Sequence, residues 1–439
     1  MLAAFCSSFI LEHDFLALFL PVVGSGSHAL RNVPVFVSRD MNADPLSLLA
    51  CAEHAIDRPP KAKLTKAQRE EIAGTMKELY HRVSPNWHAV YPWAPGCSHT
   101  KLAVVRYPGF LLLMITSCNF MAIDMVLSDN TWYIQTFPEL PNRASKKRQT
   151  PFEQHLLHHL DSLDCPDEFI DSIARRYDFS AAEGKVHLVA SEPGVKNLNS
   201  EQNDAKHFGL FRLGALAQQL IPQRKRRAGR IELETCTGSP GTLDENWVKK
   251  MDWVVKGGDV DDLSELWETS SNALSVPSWT IVFPTKDTVN GCSEEVKTSA
   301  SNIGCSLTRK LWPEASPAIR GMFHDYLSKD AGRLFHQKLY IWLDKDEPHS
   351  SKTPRMIYAA GSHNLSKAAW RAVEFTRRGC GKLTNASNFE LGVVVKGKDV
   401  ASMLEPGSTW EDLITYERPS KPYGEDDLPW NSPAWVKDF

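Results

Sequence analysis

The sequence predicts an α/β protein made of two similar halves that meet at a shared cleft, and three observations lead there. At 439 residues the chain exceeds what one ordinary hydrophobic core organises, so two domains are the default. Short apolar runs of strand length alternate with longer stretches of helical spacing. One local pattern also occurs twice. His99-Thr100-Lys101 opens the apolar run Leu102 to Tyr107, Pro108-Gly109 turns the chain, and Phe110 to Thr116 returns to Ser117-Cys118-Asn119. His336-Gln337-Lys338 opens Leu339 to Leu343, a polar loop from Asp344 to Pro354 follows, and Met356 to Ala360 leads back to Ser362-His363-Asn364. A lone His-x-Lys says little in a chain with 15 histidines. Two of them, each opening a strand and each answered by Ser-x-Asn on the returning strand, outweigh two unrelated hairpins with polar ends.

Residues two apart on a strand point to one face. His99 therefore projects with Lys101, and His336 with Lys338, while Asn119 and Asn364 return beside them. Lysine supplies charge, asparagine an amide donor, histidine a group that titrates near neutrality, and Ser117 and Ser362 hydroxyls. Such a set suits one phosphate.

The bulk composition narrows the class. Hydrophobic content of 42% and charge of 23% are those of a soluble globular protein. A net charge of −3 does not advertise a nucleic-acid binder, although overall charge conceals local patches. Nine cysteines lie scattered without a Cys-x-x-Cys pair, which predicts reduced thiols in cytosol or nucleus and no zinc site. Met1 to Leu11 is apolar but lacks a basic start, and Glu12-His13-Asp14 interrupts it, so a buried element is expected rather than a leader or membrane span.

In chain order, residues 1–38 read as a strand, a short helix around Asp14 to Phe19, and a strand from Val33 to Val37. Thr65 to Arg82 has helical spacing, with Thr65 as N-cap and acidic residues in the early turns. Trp87, Tyr91 and Trp93 precede the first His-x-Lys, as core aromatics or as stacking surfaces for bases. Asp124 to Trp132 leads out of the first hairpin, and Arg143 to Gln149 is a basic loop. Phe152 to Arg176 is helical. Its His155, His158 and His159 share a helix face but lack the glutamate of a His-Glu-x-x-His motif, so a solvated face is the reading. Lys185 to Ala190 is a strand, and the boundary between halves, 1–184 and 185–439, falls near Gly184. His207 to Leu220 is a helix. Arg224 to Arg230 is a basic run that suits either an exposed loop or a polyanion contact. Glu232 to Leu243 ends in a small-residue turn of the sort that lets backbone approach a ligand. Asp244 to Val255 is a helix, Ser278 to Pro284 a strand, 285–306 a polar excursion, and Arg309 to Lys329 a helix into the second His-x-Lys. Ser366 caps a helix from Lys367 to Phe375, and Phe389 to Lys396 is a strand carrying Glu390.

At these residues the chain resembles the tyrosyl-DNA phosphodiesterases, the branch of the phospholipase D superfamily whose two motifs are His-x-Lys…Asn. The superfamily's usual aspartate after each lysine is absent here. Gly361-Ser362-His363-Asn364-Leu365-Ser366-Lys367-Ala368-Ala369-Trp370 is similar to the family's second motif and the helix after it. Glu390-Leu391-Gly392-Val393 resembles its downstream glutamate, and Ser191-Glu192-Pro193-Gly194, Gly238-Ser239-Pro240-Gly241, Pro422-Tyr423-Gly424 and Pro429-Trp430 match other signatures. The likeness spans roughly residues 3 to 430. Members usually carry further chain ahead of the position of Met1.

That resemblance implies a phospholipase D-like fold of two α-β-α sandwiches related by a pseudo-two-fold axis, with the active site between them. It implies a metal-free, cofactor-free DNA-repair phosphodiesterase that releases a trapped topoisomerase I peptide, and other adducts, from a DNA 3′ end through a phosphohistidine. His99 would be nucleophile and His336 general acid and base. Lys101, Lys338, Asn119 and Asn364 would hold the phosphate oxygens, and Glu390 would orient a histidine, most naturally His99. The polar partner of the other histidine falls at Asp129 or Asn130. Trp93 stands in for the aromatic expected before the first histidine, where this chain has Pro95. Cys236 replaces a DNA-contacting serine, and Ser239 and Lys367, with Arg377 and Arg378, are further substrate contacts. The expected partner is single-stranded or nicked DNA bearing a 3′ tyrosine or peptide, met by a monomer in the nucleus with no membrane involved. The rivals are a lipid phosphodiesterase of the same superfamily and a catalytically silent DNA-binding relative.

Overall fold

The computed structural model describes residues 1–439 except 21–32, 58–62, 84, 142–148, 198–206, 228, 260–261, 264, 267–273, 305–311, 313–314, 331, 347–352, 376–380 and 433–439. Two sheets with one plan carry the molecule. In the first, Trp87–Val90, Val35–Arg39 and Ala3–Ser8 lie parallel, and Leu102–Tyr107, Phe110–Thr116 and Trp132–Pro138 continue antiparallel. In the second, Phe323–His324, Thr280–Val282 and Ile231–Cys236 lie parallel, and Leu339–Asp344, Met356–Gly361 and Glu390–Lys396 continue antiparallel, with Val186–Ser191 added at the far edge. The hairpin behind each His-x-Lys thus holds the fourth and fifth places in its sheet. All strands of the first sheet precede residue 139, and all strands of the second follow residue 185.

Parallel neighbours need crossovers, and helices supply them. His13–Phe19, Leu46–Glu53 and Lys66–Val83 cover the outer face of the first sheet. The last begins as expected: Thr65 Oγ1 accepts from the Gln68 amide (3.3 Å), and Gln68 Oε1 accepts from Thr65 N–H (3.0 Å). Along Ala3–Ser8 the side chains alternate. Ala4 and Cys6 join Ile72, Met76 and Tyr80 beneath the helices, while Ala3 and Phe5 face a second core shared with the other sheet. Leu111, Leu113 and Ile115 enter that core from one side, and Val189, Ala359 and Val393 from the other. Among the described residues no helix is long and apolar enough to cross a membrane, and the cysteines are unpaired.

Two expected helices are shorter than their spacing suggests. Lys367–Trp370 stops after one turn, and Ala372–Phe375 is a strand. The break is Arg371, a non-glycine residue at φ 74°, whose buried guanidinium donates to the carbonyls of Gly194 (2.5 Å) and Glu192. Those bonds offset the backbone strain. In the described part of 309–329, a four-residue helix, Pro317–Arg320, gives way to the strand Phe323–His324. The polar stretch 285–306 carries two short helices, Lys286–Asn290 and Glu294–Ser299. The basic loop 143–149, all but its last residue, lies outside the described residues, as do Arg377 and Arg378.

Candidate active site

Both His-x-Lys segments sit just ahead of a central strand of each sheet, and His99 and His336 line the same cleft of about 620 Å³. Each imidazole is held by a carboxylate from the opposite half. His99 Nδ1–H donates to Glu390 Oε2 (2.8 Å), and His336 Nδ1–H donates to Asp124 Oδ2 (2.8 Å). With Nδ1 protonated, each neutral ring keeps the lone pair on Nε2. The backbone repeats the exchange. The His99 amide donates to the Phe389 carbonyl (2.9 Å), and the His336 and Gln337 amides donate to the Asp129 carbonyl (2.9 and 3.1 Å). Short parallel pairings, Ser98 with Phe389 and Leu334–Phe335 with Ser128–Asp129, thus clamp each histidine against the segment that carries its carboxylate or follows it closely.

Lys101 and Lys338 are fully buried, and each Nζ donates to the carbonyl of its own motif's histidine (2.9 and 2.5 Å). Burial lowers Lys101 to about 8 and holds Lys338 well below the usual lysine range, where the Lys101 charge also opposes it. Burial lowers His99 as well and takes His336 to about 4, against the pull of their carboxylates. For Glu390 and Asp124 burial acts upward, but the adjoining imidazoles outweigh it and leave each at about 2. The cleft therefore sets two lysines over two fixed carboxylates, with neutral imidazoles between them. Asn364 Oδ1 accepts from the Ser239 amide (3.1 Å) and the Thr237 hydroxyl (3.3 Å), which leaves its Nδ2 as the donor. Asn119 lines the same cleft. A Cβ at Gly238 would lie 3.3 Å from the His336 ring, so the small-residue turn approaches the site as expected.

The structure brings His99, Lys101, Asn119, His336, Lys338, Asn364 and Glu390 together, and it corrects several other expectations. The partner of His336 is neither Asp129 nor Asn130 but Asp124. Asp129 pairs with Arg333 (2.8 Å), and Asn130 accepts from the Ser117 hydroxyl (2.8 Å). Asp124 Oδ2 also accepts from the Asn119 amide (2.5 Å), so one carboxylate oxygen positions parts of both motifs. Ser117 and Ser362 are not phosphate donors. Their buried hydroxyls bind Asn130 and Thr131 in one case and the Leu391 backbone in the other. Cys236 is fully buried and does not line the cleft. Trp93 lies under Arg69 (4.2 Å), away from the cleft. The aromatic over the site is Phe9, whose ring centroid is 5.5 Å from that of His99. Its signal in the sequence was weak, since it follows a strand ninety residues ahead of the motif it serves. Ser239 and Lys367 do line the cleft, and Lys367 is ion-paired with Asp244. His159 is not solvated: it is buried against the Thr100 hydroxyl (3.1 Å). In the basic run Arg224 to Arg230, Lys225 and Arg230 bind Asp346, and Lys225 also binds Asp344, which occupies charges that a polyanion would need.

The family model described as tyrosyl-DNA phosphodiesterase matches residues 48–427. No curated protein matches the sequence. Among solved structures, the yeast tyrosyl-DNA phosphodiesterase superposes with a TM-score of 0.61 at 17% identity, covering 98% of this chain and 93% of that one. A histidine mutant of the yeast enzyme gives 0.62 at 16% identity, covering 98% and 92%. The fold is accordingly phospholipase D-like, as the sequence led one to expect.

Proposed function

The chain belongs to the tyrosyl-DNA phosphodiesterase family, and from that membership and the paired imidazoles we propose that it hydrolyses the bond between a DNA 3′ phosphate and a tyrosine, as left by a trapped topoisomerase I peptide, together with other 3′ adducts. The observation that carries the proposal is the crossed pair of carboxylates. Glu390 and Asp124 each fix one histidine with Nε2 available, and both histidines line one cleft.

His99 Nε2 attacks phosphorus, an N–P bond forms, and the P–O bond to tyrosine breaks. His336 gives its Nε2 proton to the departing phenolate. Burial takes His336 down to about 4, so the acidic form arises with the substrate, whose negative charge favours a nearby imidazolium. In the second step His336 takes a proton from water, the water oxygen bonds to phosphorus, and the N–P bond breaks. This restores His99 and leaves a 3′ phosphate. General acid–base catalysis of this kind contributes roughly 10²–10⁴-fold. Lys101, Lys338, Asn119 and Asn364 bind the non-bridging oxygens, a task that metal ions perform in many phosphoryl-transfer enzymes.

The two units are residues 1–184 and 185–439, acting as a monomer in the nucleus. A reporter fusion excluded from nuclei would overturn that placement, and a dimer on sizing chromatography would overturn the monomer. The decisive assay is a gel with a 3′-phosphotyrosyl oligonucleotide. The expected outcome is release of tyrosine that continues in EDTA. Binding without release would identify a silent relative, and turnover of phosphatidylcholine vesicles alone would identify a lipid enzyme.

A further inference from the structure

A second cavity, of about 230 Å³, lies among the helix Pro151–Ser162, the start of the strand Val186–Ser191 and the helix Gly209–Leu220. It shares no lining residue with the catalytic cleft. Its polar lining is His155, His187, Arg212, Glu183 and Gln219. His187 is only 9% exposed, and the Nε2 atoms of both His155 and His187 are shielded from solvent without a hydrogen-bond partner. His155 Nδ1–H donates to the Pro151 carbonyl (2.6 Å), so its ring is fixed with Nε2 as the remaining nitrogen. Arg212 donates through Nε to the Leu188 carbonyl (3.4 Å), and no carboxylate pairs with it among the described residues. Buried polar nitrogens without partners are costly and call for an explanation.

Chemistry selects the occupant. A cation is disfavoured by Arg212, and among the described residues no three His, Cys, Asp or Glu side chains converge as a metal site. An oxyanion accepts from a guanidinium and from protonated imidazoles alike. The volume falls below the roughly 300–1,000 Å³ of sites for drug-sized ligands, which favours a small one. We propose that this cavity is a second anion site, holding inorganic phosphate or the terminal phosphate of a small phosphomonoester between Arg212, His155 and His187.

Proton uptake should accompany binding. Burial first, then the Arg212 charge, takes both imidazoles down to about 4. His207 and His158 face His155 and oppose its charge further, and Glu183 is the one acid in the lining. A bound phosphate reverses that balance, so affinity rises as pH falls. The location has a structural corollary. One turn beyond His155, the same helix carries His159, which braces Thr100 between His99 and Lys101.

The test is histidine imidazole NMR on the full chain, titrated with inorganic phosphate at constant ionic strength. His155→Gln and His187→Gln assign the two signals. Both should shift saturably, and the pKa of each should rise by about one unit or more, equal to a tenfold preference of phosphate for the protonated ring. Arg212→Met should abolish the saturable shifts at both positions while phosphate still perturbs His99 and His336. Non-saturating shifts, or shifts unchanged by Arg212→Met, overturn the proposal. If that variant does not fold, folded His187→Gln should bind phosphate at least about fivefold more weakly at His155, and unchanged affinity there is equally decisive against the site. The readout does not depend on tyrosine release, so it stands or falls separately from the enzymatic assignment.

Discussion

Replacing Glu390 with glutamine tests the central geometry most directly. In the native site Oε2 accepts from His99 Nδ1–H at 2.8 Å, and Oε1 accepts from Asn388 Nδ2–H at 3.0 Å. A glutamine keeps the shape, but Asn388 still presents a donor, so the amide oxygen stays on that side and its NH₂ turns toward His99. The imidazole must then accept at Nδ1, which moves its proton to Nε2 and removes the attacking lone pair. Charge-assisted hydrogen bonds are worth roughly 1.5–3 kcal/mol, and the tautomer change adds to that. A fall of roughly 10²–10⁴ in single-turnover tyrosine release, about 2.7–5.4 kcal/mol of barrier, is expected. The pH profile carries a sign. Glu390 raises the His99 pKa against burial, so its loss lowers that value further. His99 must be neutral to attack, and the acid limb of kcat/KM should therefore move to lower pH even as the plateau drops. The assay is gel-resolved single turnover across pH, with thermal melting as the control for folding. A folded Glu390→Gln protein within about threefold of the wild-type rate would refute the orienting role.

Three further outcomes follow from the same site. Asp124→Asn should slow the reaction roughly 10²-fold or more and accumulate a DNA-linked protein band, because His336, proposed to resolve the adduct, loses its orientation; a slower reaction without the band would contradict the assignment. His99→Ala should give no covalent adduct, whereas His336→Asn should accumulate one when the leaving group is good, and the reverse pattern on denaturing gels would exchange the two roles. Burial holds Lys101 at about 8 in the free enzyme, and its charged form, which binds phosphate, is lost as pH rises through that value. The ratio kcat/KM should have declined by about pH 8, and because Lys338 is also held well below the usual lysine range, the decline should move upward only when Lys101→Arg and Lys338→Arg are combined; a profile flat to about pH 9.5 in the wild type would count against this reading.

What was legible in the sequence was whatever is encoded locally. The two hairpins follow from apolar runs with polar ends, and the His-x-Lys and Ser-x-Asn residues sit at those ends because strand alternation puts them there. Asp124 was missed because nothing around it distinguishes it: its segment reads as an ordinary helix start, and its partner is 212 positions away. Ser117 and Ser362 were misassigned for a related reason. A serine beside a motif looks like a ligand, yet a hydroxyl at a strand end is as readily used to tie backbone together, as both are here. Phe9 and Trp93 exchange places because ring stacking depends on which loop overhangs the cleft. The truncated helix at Lys367–Trp370 depends on buried contacts of Arg371 with Glu192 and Gly194, which no helix propensity reports.

The crossed carboxylates bear on how such a molecule is able to change. Each half owns a histidine but borrows the group that makes it useful, so neither half is a smaller enzyme waiting to be freed. A chain severed between the two sheets should yield fragments that are inert alone and regain turnover only when reassembled. Halves joined in this way also constrain one another, since any change that reshapes one rim of the cleft misaligns the residues anchored on the other.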